Sequence, residues 1–492
     1  MTTHEEKPKK KITTFLALSP FIVIFAFLVL FYVVLGIRPE PTFIICLAAT
    51  FGIGIIFAGK SYDQLLKAGC ARVGKTMSAI LIIFSIGIVV GTFMYSGAIP
   101  TLVVYGIKII SPNMFYLTAL LACMIISIAC GSSLTTVGTL GIALYAMASV
   151  MGVDMKMTLG AIWCGAIFGD SCSPVSDGPN MNAAVTRVDL YKLVGNNLKY
   201  SFGPAYVLVI IFYLVLSLNA PAATAVENDT INAFLTEINT IYNISPICLL
   251  PFIILFLSII VKVPAVPALI GSAFSAIIVG LALQPFSFNS AITCMNTGFT
   301  LNMIPASVID TATLSSTTTN LLVRGGMANM VGLVCVIIMA QMIVAIIEEC
   351  GFMDHLMHTL FSKAKTPRSL MLAATLTGLC LAPCGGNAYL PTIITGTMYQ
   401  RPFLENKMDL VNLARINLAG TGISCSMWPW LVVGTYYYTN LGVTPPEFAM
   451  YCVALPLAIL TLVISALTGW GIVRLTDEEA AAQLAELDEG KS

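Results

Sequence analysis

The chain has 492 residues, 58% of them hydrophobic and 10% charged, with 24 basic and 24 acidic side chains. Ordinary soluble domains carry roughly a quarter charged residues, so this composition places the chain in a bilayer. A formal net charge of zero leaves no basic surface to neutralise phosphates, which excludes nucleic acid as a partner.

Residues 1–14 form a polar tail carrying Lys7, Lys9, Lys10 and Lys11 ahead of an apolar run from Phe15. The run is longer than a signal-peptide core and no small-residue cleavage site follows, so it reads as a retained first span. Apolar runs able to cross a hydrocarbon layer of about 30 Å fall at 15–36, 41–59, 76–95, 157–182, 200–219, 245–261, 264–283, 328–347, 410–438 and 448–471. The runs at 157–182 and 410–438 are interrupted by polar residues and prolines. Segments 113–152 and 369–400 each join two apolar halves through a small-residue centre, Cys130-Gly131-Ser132-Ser133 and Pro383-Cys384-Gly385-Gly386-Asn387. They read as hairpins that either span or re-enter. The expected fold is an all-α membrane protein of about ten transmembrane helices plus two hairpin segments.

The loop 60–75 holds Lys60, Lys67, Arg72 and Lys75, and the loop 186–199 holds Arg187, Lys192 and Lys199, whereas the connector 220–244 has Glu227, Asp229 and Glu237 and no basic residue. Basic loops stay in the cytoplasm. Both termini are thus expected inside and the connector outside, with an acidic, solvated cytoplasmic helix at 472–492. The cysteines lie mostly alone in apolar runs, with no C-x-x-C pair. His355 and His358 share one helical face, but a metal site would need further ligands, and a solvated turn accounts for them.

Ser96-Gly97-Ala98-Ile99 and Cys350-Gly351-Phe352-Met353 lie 254 residues apart, and at the same offset Cys130-Gly131 meets Cys384-Gly385. One residue away in register, Gly169-Asp170-Ser171-Cys172-Ser173 meets Gly422-Ile423-Ser424-Cys425-Ser426. The chain therefore reads as two transmembrane repeats, 15–219 and 245–471. Five spans per half make the second inverted relative to the first. Inverted repeats with two broken helices are the pattern of a secondary transporter, whose site lies where the breaks and hairpin centres meet.

The first break concentrates the polarity. Pro174 and Pro179 remove backbone donors and disfavour helix before them, among Asp170, Ser171, Ser173, Ser176, Asp177 and Asn180. Irregular backbone at membrane depth is tolerated where it lines a cavity, so these six residues are the candidate ion ligands. Oxygen-only surroundings suit a hard ion such as Na+, held at Asp170 and Asp177. A proton and Na+ compete for such carboxylates, which is antiport in physical terms. Asn387, Thr392, Ser424 and Ser426 are candidates for the second half of the site. Arg415 and Arg324 are candidate partners for an organic carboxylate. Trp428-Pro429-Trp430 and Tyr436-Tyr437-Tyr438 read as an interfacial belt. No nucleophile and base pair or metal cluster is evident, so the chain is expected to be no enzyme and to need no cofactor beyond transported or coupling Na+ and H+. A channel would need a continuous polar stripe, which the sequence lacks.

The runs Ser96 to Thr101 (S-G-A-I-P-T), Tyr105 to Pro112 (Y-G-I-K-I-I-S-P), Cys130 to Thr139 (C-G-S-S-L-T-T-V-G-T) and above all Gly169 to Asn180 (G-D-S-C-S-P-V-S-D-G-P-N), with Arg324-Gly325-Gly326 and Pro429-Trp430, resemble the NhaC-type Na+/H+ antiporters. The resemblance runs from about residue 15 to 470. It implies a multi-pass exchanger of a bacterial inner membrane, of the ion-transporter superfamily, with its motif carboxylates at Asp170 and Asp177. Its partners would be small ions within the lipid bilayer, and a homodimer is compatible with it. The chain departs from the family pattern at Ser171-Cys172, where a Lys-Met pair is usual, and at Gly178-Pro179, where a Thr-Thr pair is usual. It also has Leu418 and Ala419 where the family carries an acidic pair. Because the family includes exchangers of malate and lactate, the alternative expectation is a Na+- or H+-coupled carrier of a small organic acid or amino acid.

Overall fold

The computed structural model describes residues 13–35, 37–219, 225–261, 263–353, 355, 366–384, 388–429 and 431–489. Nearly all of them are helical, and among them the β contacts are two isolated bridges, Phe299–Arg324 and Met408–Arg474. A chain this apolar satisfies its backbone within each segment, because lipid offers no hydrogen bonds.

The first part of the chain forms α1 (Thr14–Phe27), α2 (Pro39–Ile56), α3 (Tyr62–Lys75), α4 (Met77–Tyr95), α5 (Ala98–Ile109), α6 (Phe115–Cys130) and α7 (Ser133–Val150). It continues through α8 (Met155–Cys172), α9 (Asp177–Thr186), α10 (Leu190–Tyr200), α11 (Phe202–Leu218) and α12 (Ala225–Ile241). The second part forms α13 (Leu250–Ile260), α14 (Ala265–Leu283), α15 (Phe288–Thr297), α16 (Ser316–Leu322), α17 (Val331–Glu349), α18 (Pro367–Leu381) and α19 (Tyr389–Glu405). It closes with α20 (Leu410–Ile416), α21 (Val432–Leu441), α22 (Ala454–Thr468) and α23 (Asp477–Glu489). Five of the helices among the described residues are long and apolar enough to cross a membrane, or nine if each of four bent pairs counts as one span.

Both interruptions fall where the residues demand them, after Cys172 and after Cys425. Gly97 and Gly351, which match across the sequence offset, both adopt positive φ, 77° and 70°.

Three stretches read as loops or a connector are helical instead. In α3 the Ser61 side chain and Gln64 form a reciprocal capping box. Asp189 caps α10 by accepting from Lys192 N at 2.8 Å, and α12 occupies most of the acidic connector. These helices are amphipathic, so a search for continuous apolar runs passes over them. The acidic tail is helical as expected but is docked: Leu487 is 5% exposed, Arg401 pairs with Asp488 at 3.0 Å, Lys407 pairs with Asp477, and Arg187 Nη1 donates to Glu486 O at 3.2 Å.

The packing that positions the site is α8 against α6. A Cβ at Gly165 would lie 2.6 Å from Leu120 O, and one at Gly169 would lie 2.0 Å from Ser127 C. The two glycines thus let the helices touch backbone to backbone, and Ser127 Oγ donates across the seam to Ala166 O.

Candidate functional site

The first break follows from its own residues. α8 begins under Asp154, whose carboxylate accepts from Met157 N at 2.8 Å. It ends because Pro174 holds Ser173 outside the helical region, at φ −86° and ψ 131°. Residues 173–176 unwind, and α9 restarts at Asp177 under a Ser176 cap. Ser173 Oγ donates to Ile128 O at 2.7 Å, and Asn180 Nδ2 donates to Pro174 O and Ser176 O, both at 2.8 Å. Those two candidates spend their polar atoms holding the break in shape, and neither lines the cavity beside it.

Asp170 sits in the last turn of α8. Its carboxylate accepts from Ser133 Oγ at 2.7 Å and from Ser176 Oγ at 3.0 Å, the second hydroxyl lying also 2.7 Å from Asp170 O. Ser133 reaches it because Gly131 turns the chain at φ 62°, so tightly that a Cβ there would lie 2.7 Å from Ser176 N. Asp177 is the first residue of α9, where the helix dipole favours negative charge. It is exposed, and it accepts from Tyr389 Oη at 3.3 Å.

A cavity of about 210 Å³ gathers these groups with the second half of the chain. Ser133, Asp170, Ser171 and Asp177 line it from the first half; Tyr389 and Thr392 of α19 and Leu418, Gly422 and Ser426 line it from the second. Asn182 of α9 adds a further wall. The second broken helix differs chemically from the first. α20 continues through a π turn at Asn417–Gly422 to Cys425, and Leu418 faces Gly178, whose added Cβ would come within 3.9 Å of Leu418 Cδ2. Ser424 Oγ donates to Thr421 O at 3.0 Å and lies off the cavity, while Ser426 lines it. Asn387 lies outside the described residues.

Neither arginine is at the cavity. Arg415 is fully buried, with Nη2 3.3 Å from Ser465 Oγ and the guanidinium 5.8 Å from the centre of the Tyr200 ring. Arg324 Nε donates to Asn320 O at 2.8 Å, and its guanidinium lies 5.8 Å from the Tyr145 ring centre. His355 Nε2 is 3.3 Å from Thr14 Oγ1, and His358 lies outside the described residues. Among the described residues no three His, Cys, Asp or Glu side chains cluster.

Tyr389 and Asn182 were not legible as site residues. Each is one polar side chain on a helix, and its role depends on the helix packed opposite. Ser133 had a signal, the polar centre of its hairpin. Tyr389 and Met181 also line a second cavity, of about 580 Å³, whose other walls carry Arg72, Lys75, Glu348 and Glu349. There Arg72 pairs with Glu348 and donates from Nε to Gln341 Oε1 at 2.9 Å, tying α3 to α17.

The chain matches the Na+/H+ antiporter family over residues 10–179 and 179–470. It is 30% identical over 475 residues to a protein of Haemophilus influenzae named as an uncharacterized Na+/H+ antiporter, covering 96% of this chain and 99% of that one. It is 29% identical over 441 residues to the Na+/H+ antiporter NhaC of Bacillus subtilis, covering 88% and 93%. It is also 29% identical over 407 residues to the malate-2H+/Na+-lactate antiporter of the same organism, covering 82% and 84%.

Proposed function

The chain belongs to the Na+/H+ antiporter family, and from that premise we propose that it exchanges cytoplasmic Na+ for external H+ by alternating access in a bacterial inner membrane. In this reading Na+ and H+ compete for Asp170 and Asp177, which carry the whole charge of the site. The observation that carries it is the cavity itself. Two carboxylates, which accept hydrogen bonds from the hydroxyls of Ser133, Ser176 and Tyr389, stand where two interrupted helices meet. Hard monovalent cations take such ligands. At about 210 Å³ the space is below the roughly 300–1,000 Å³ of pockets that hold drug-sized ligands, which suits an ion or a small solute.

The same reading assigns residues 15–219 and 245–471 to two inverted repeats. The recurrence of positive φ at Gly97 and Gly351 and of helix breaks after Cys172 and Cys425 supports it. Both termini then lie in the cytoplasm, as the basic side chains of α3 and α10 favour.

The test is reconstitution in proteoliposomes. Added Na+ should collapse a pre-formed pH gradient, and Asp170→Asn should abolish the effect; a wild-type protein that leaves the gradient unchanged refutes the reading. The second reading, coupled transport of a small organic acid or amino acid, is favoured by Leu418, an apolar wall facing the carboxylate-bearing break. It predicts that a labelled small carboxylate moves with Na+ or H+. Since Arg415 is off the cavity, this reading requires the substrate's carboxylate to be held by other groups or Arg415 to reach the cavity in another conformation.

A further inference from the structure

The carboxylates account for only part of the oxygen at the cavity. Three more oxygens, Asn182 Oδ1, Thr392 Oγ1 and Asn417 Oδ1, have no hydrogen-bond partner. Their residues are 2%, 1% and 0% exposed, and Asn182 and Thr392 line the cavity.

The two amides are not free to turn. Asn182 Nδ2 donates to Gly178 O at 3.0 Å, and Asn417 Nδ2 donates to Thr392 O at 3.2 Å. A backbone carbonyl only accepts, so in both side chains the nitrogen is committed and the oxygen must point the other way. Packing brings the three residues to one junction. Tyr389 meets Asp177, and Gln400 Nε2 donates to Val185 O at 2.5 Å, so α9 and α19 run side by side in the same direction, and Asn182 and Thr392 both line the cavity between them. Gly396 admits the third element: a Cβ there would lie 2.5 Å from Val185 Cγ1 and 3.3 Å from Asn417 Nδ2.

Buried acceptors without donors are unfavourable, and a cation supplies what all three lack. The set is uncharged and oxygen-only, which suits Na+ rather than a transition metal.

We propose that Asn182, Thr392 and Asn417 form a second Na+ subsite of uncharged oxygens beside the Asp170–Asp177 site. This rests on the antiporter reading and deepens it. The experiment is equilibrium binding of radiolabelled Na+ to the purified full-length protein in detergent. Wild type binds two Na+ per chain. Thr392→Val, which keeps the shape and removes the oxygen, binds one with the affinity of the remaining site unchanged, and Thr392→Ser binds two. A packing role for Thr392 alone would not remove one ion and spare the other. One Na+ per wild-type chain overturns the proposal even if the valine variant does not fold, and so does a Thr392→Val protein that still binds two. The underlying reading fails separately: a wild type that binds no Na+, or moves no protons in proteoliposomes, refutes antiport itself, whereas a working exchanger with one Na+ refutes the second subsite alone.

Discussion

Gly131→Ala isolates the contact between the first hairpin and the first break. The glycine sits at φ 62°, and the new Cβ would lie 2.7 Å from Ser176 N, 2.8 Å from Val175 C and 2.9 Å from Val175 Cγ2. Two costs add. The left-handed conformation costs an L-residue about 1–2 kcal/mol, and overpacking against neighbours that cannot retreat costs about 1–3 kcal/mol. They cannot retreat because Ser173 is tied to Ile128 O and Ser176 to Asp170. The total is about 2–5 kcal/mol. Gly442→Ala is the control, since Gly442 has φ 73° and nothing within 4 Å of an added Cβ, so it meets the first cost alone. The assay is thermal unfolding of both purified variants in detergent, alongside Na+-driven proton movement in proteoliposomes. Gly131→Ala should melt well below Gly442→Ala and lose about tenfold or more in transport rate, the equivalent of some 1.4 kcal/mol at the site, because a displaced Ser176 no longer holds the Asp170 carboxylate. Equal melting and equal transport in the two variants would refute the argument that the turn and the break share one backbone contact.

Ser133→Ala should cost about 1.5–3 kcal/mol of stability, the worth of a hydrogen bond to a charged group, and much less in an Asp170→Asn background; a double-mutant cycle in denaturation that shows no coupling contradicts the bond. Gly169→Ala should yield no monodisperse protein by size-exclusion chromatography, because its Cβ would meet backbone at 2.0 Å, while Gly195→Ala, with open space around it, should be neutral or slightly stabilising. Asp409 accepts from Val411 N at 2.8 Å and pairs with Lys192 at 2.7 Å. Asp409→Ala should therefore lower stability by about 1 kcal/mol, with Asp409→Asn falling between it and wild type in the same melting assay.

The sequence disclosed the fold wherever the fold is written in apolar length or in proline. Pro174 stopping α8 and the long run that became α17 needed no tertiary information. Amphipathic helices such as α3 and α10 were missed for a physical reason: they are not continuously apolar, and their capping residues, Ser61 and Asp189, are common in loops as well. At the site, Asp170 and Asp177 were legible because a carboxylate at membrane depth is costly enough to mark itself. Ser173 and Asn180 looked the same as Ser133 and Asn182 in composition. What separates them is direction, and direction was set by the partner helix: Ile128 of α6 takes the Ser173 hydroxyl, whereas the turn at Gly131 aims Ser133 at Asp170. Arg415 and Arg324 stand out in the sequence by charge alone, and their neighbours, Ser465 with Tyr200 and Asn320 with Tyr145, keep them off the cavity.

The glycine seam between α6 and α8 has a mechanical meaning. Helices joined through side chains slide by exchanging rotamers, but at Gly165 and Gly169 no side chain intervenes to yield, and Ser127 stitches the two backbones together. The pair is a stiff beam. Whatever displacement carries Asp170 must carry the Cys130 to Ser133 turn along, so the carboxylate travels with its own hydroxyl partner. Tyr389, by contrast, reaches across from another helix to Asp177, at 3.3 Å, and Gln400 of the same helix reaches Val185 O. Along that line the two walls of the cavity meet through the side chains of α19, with no such glycine-lined backbone seam between them among the described residues.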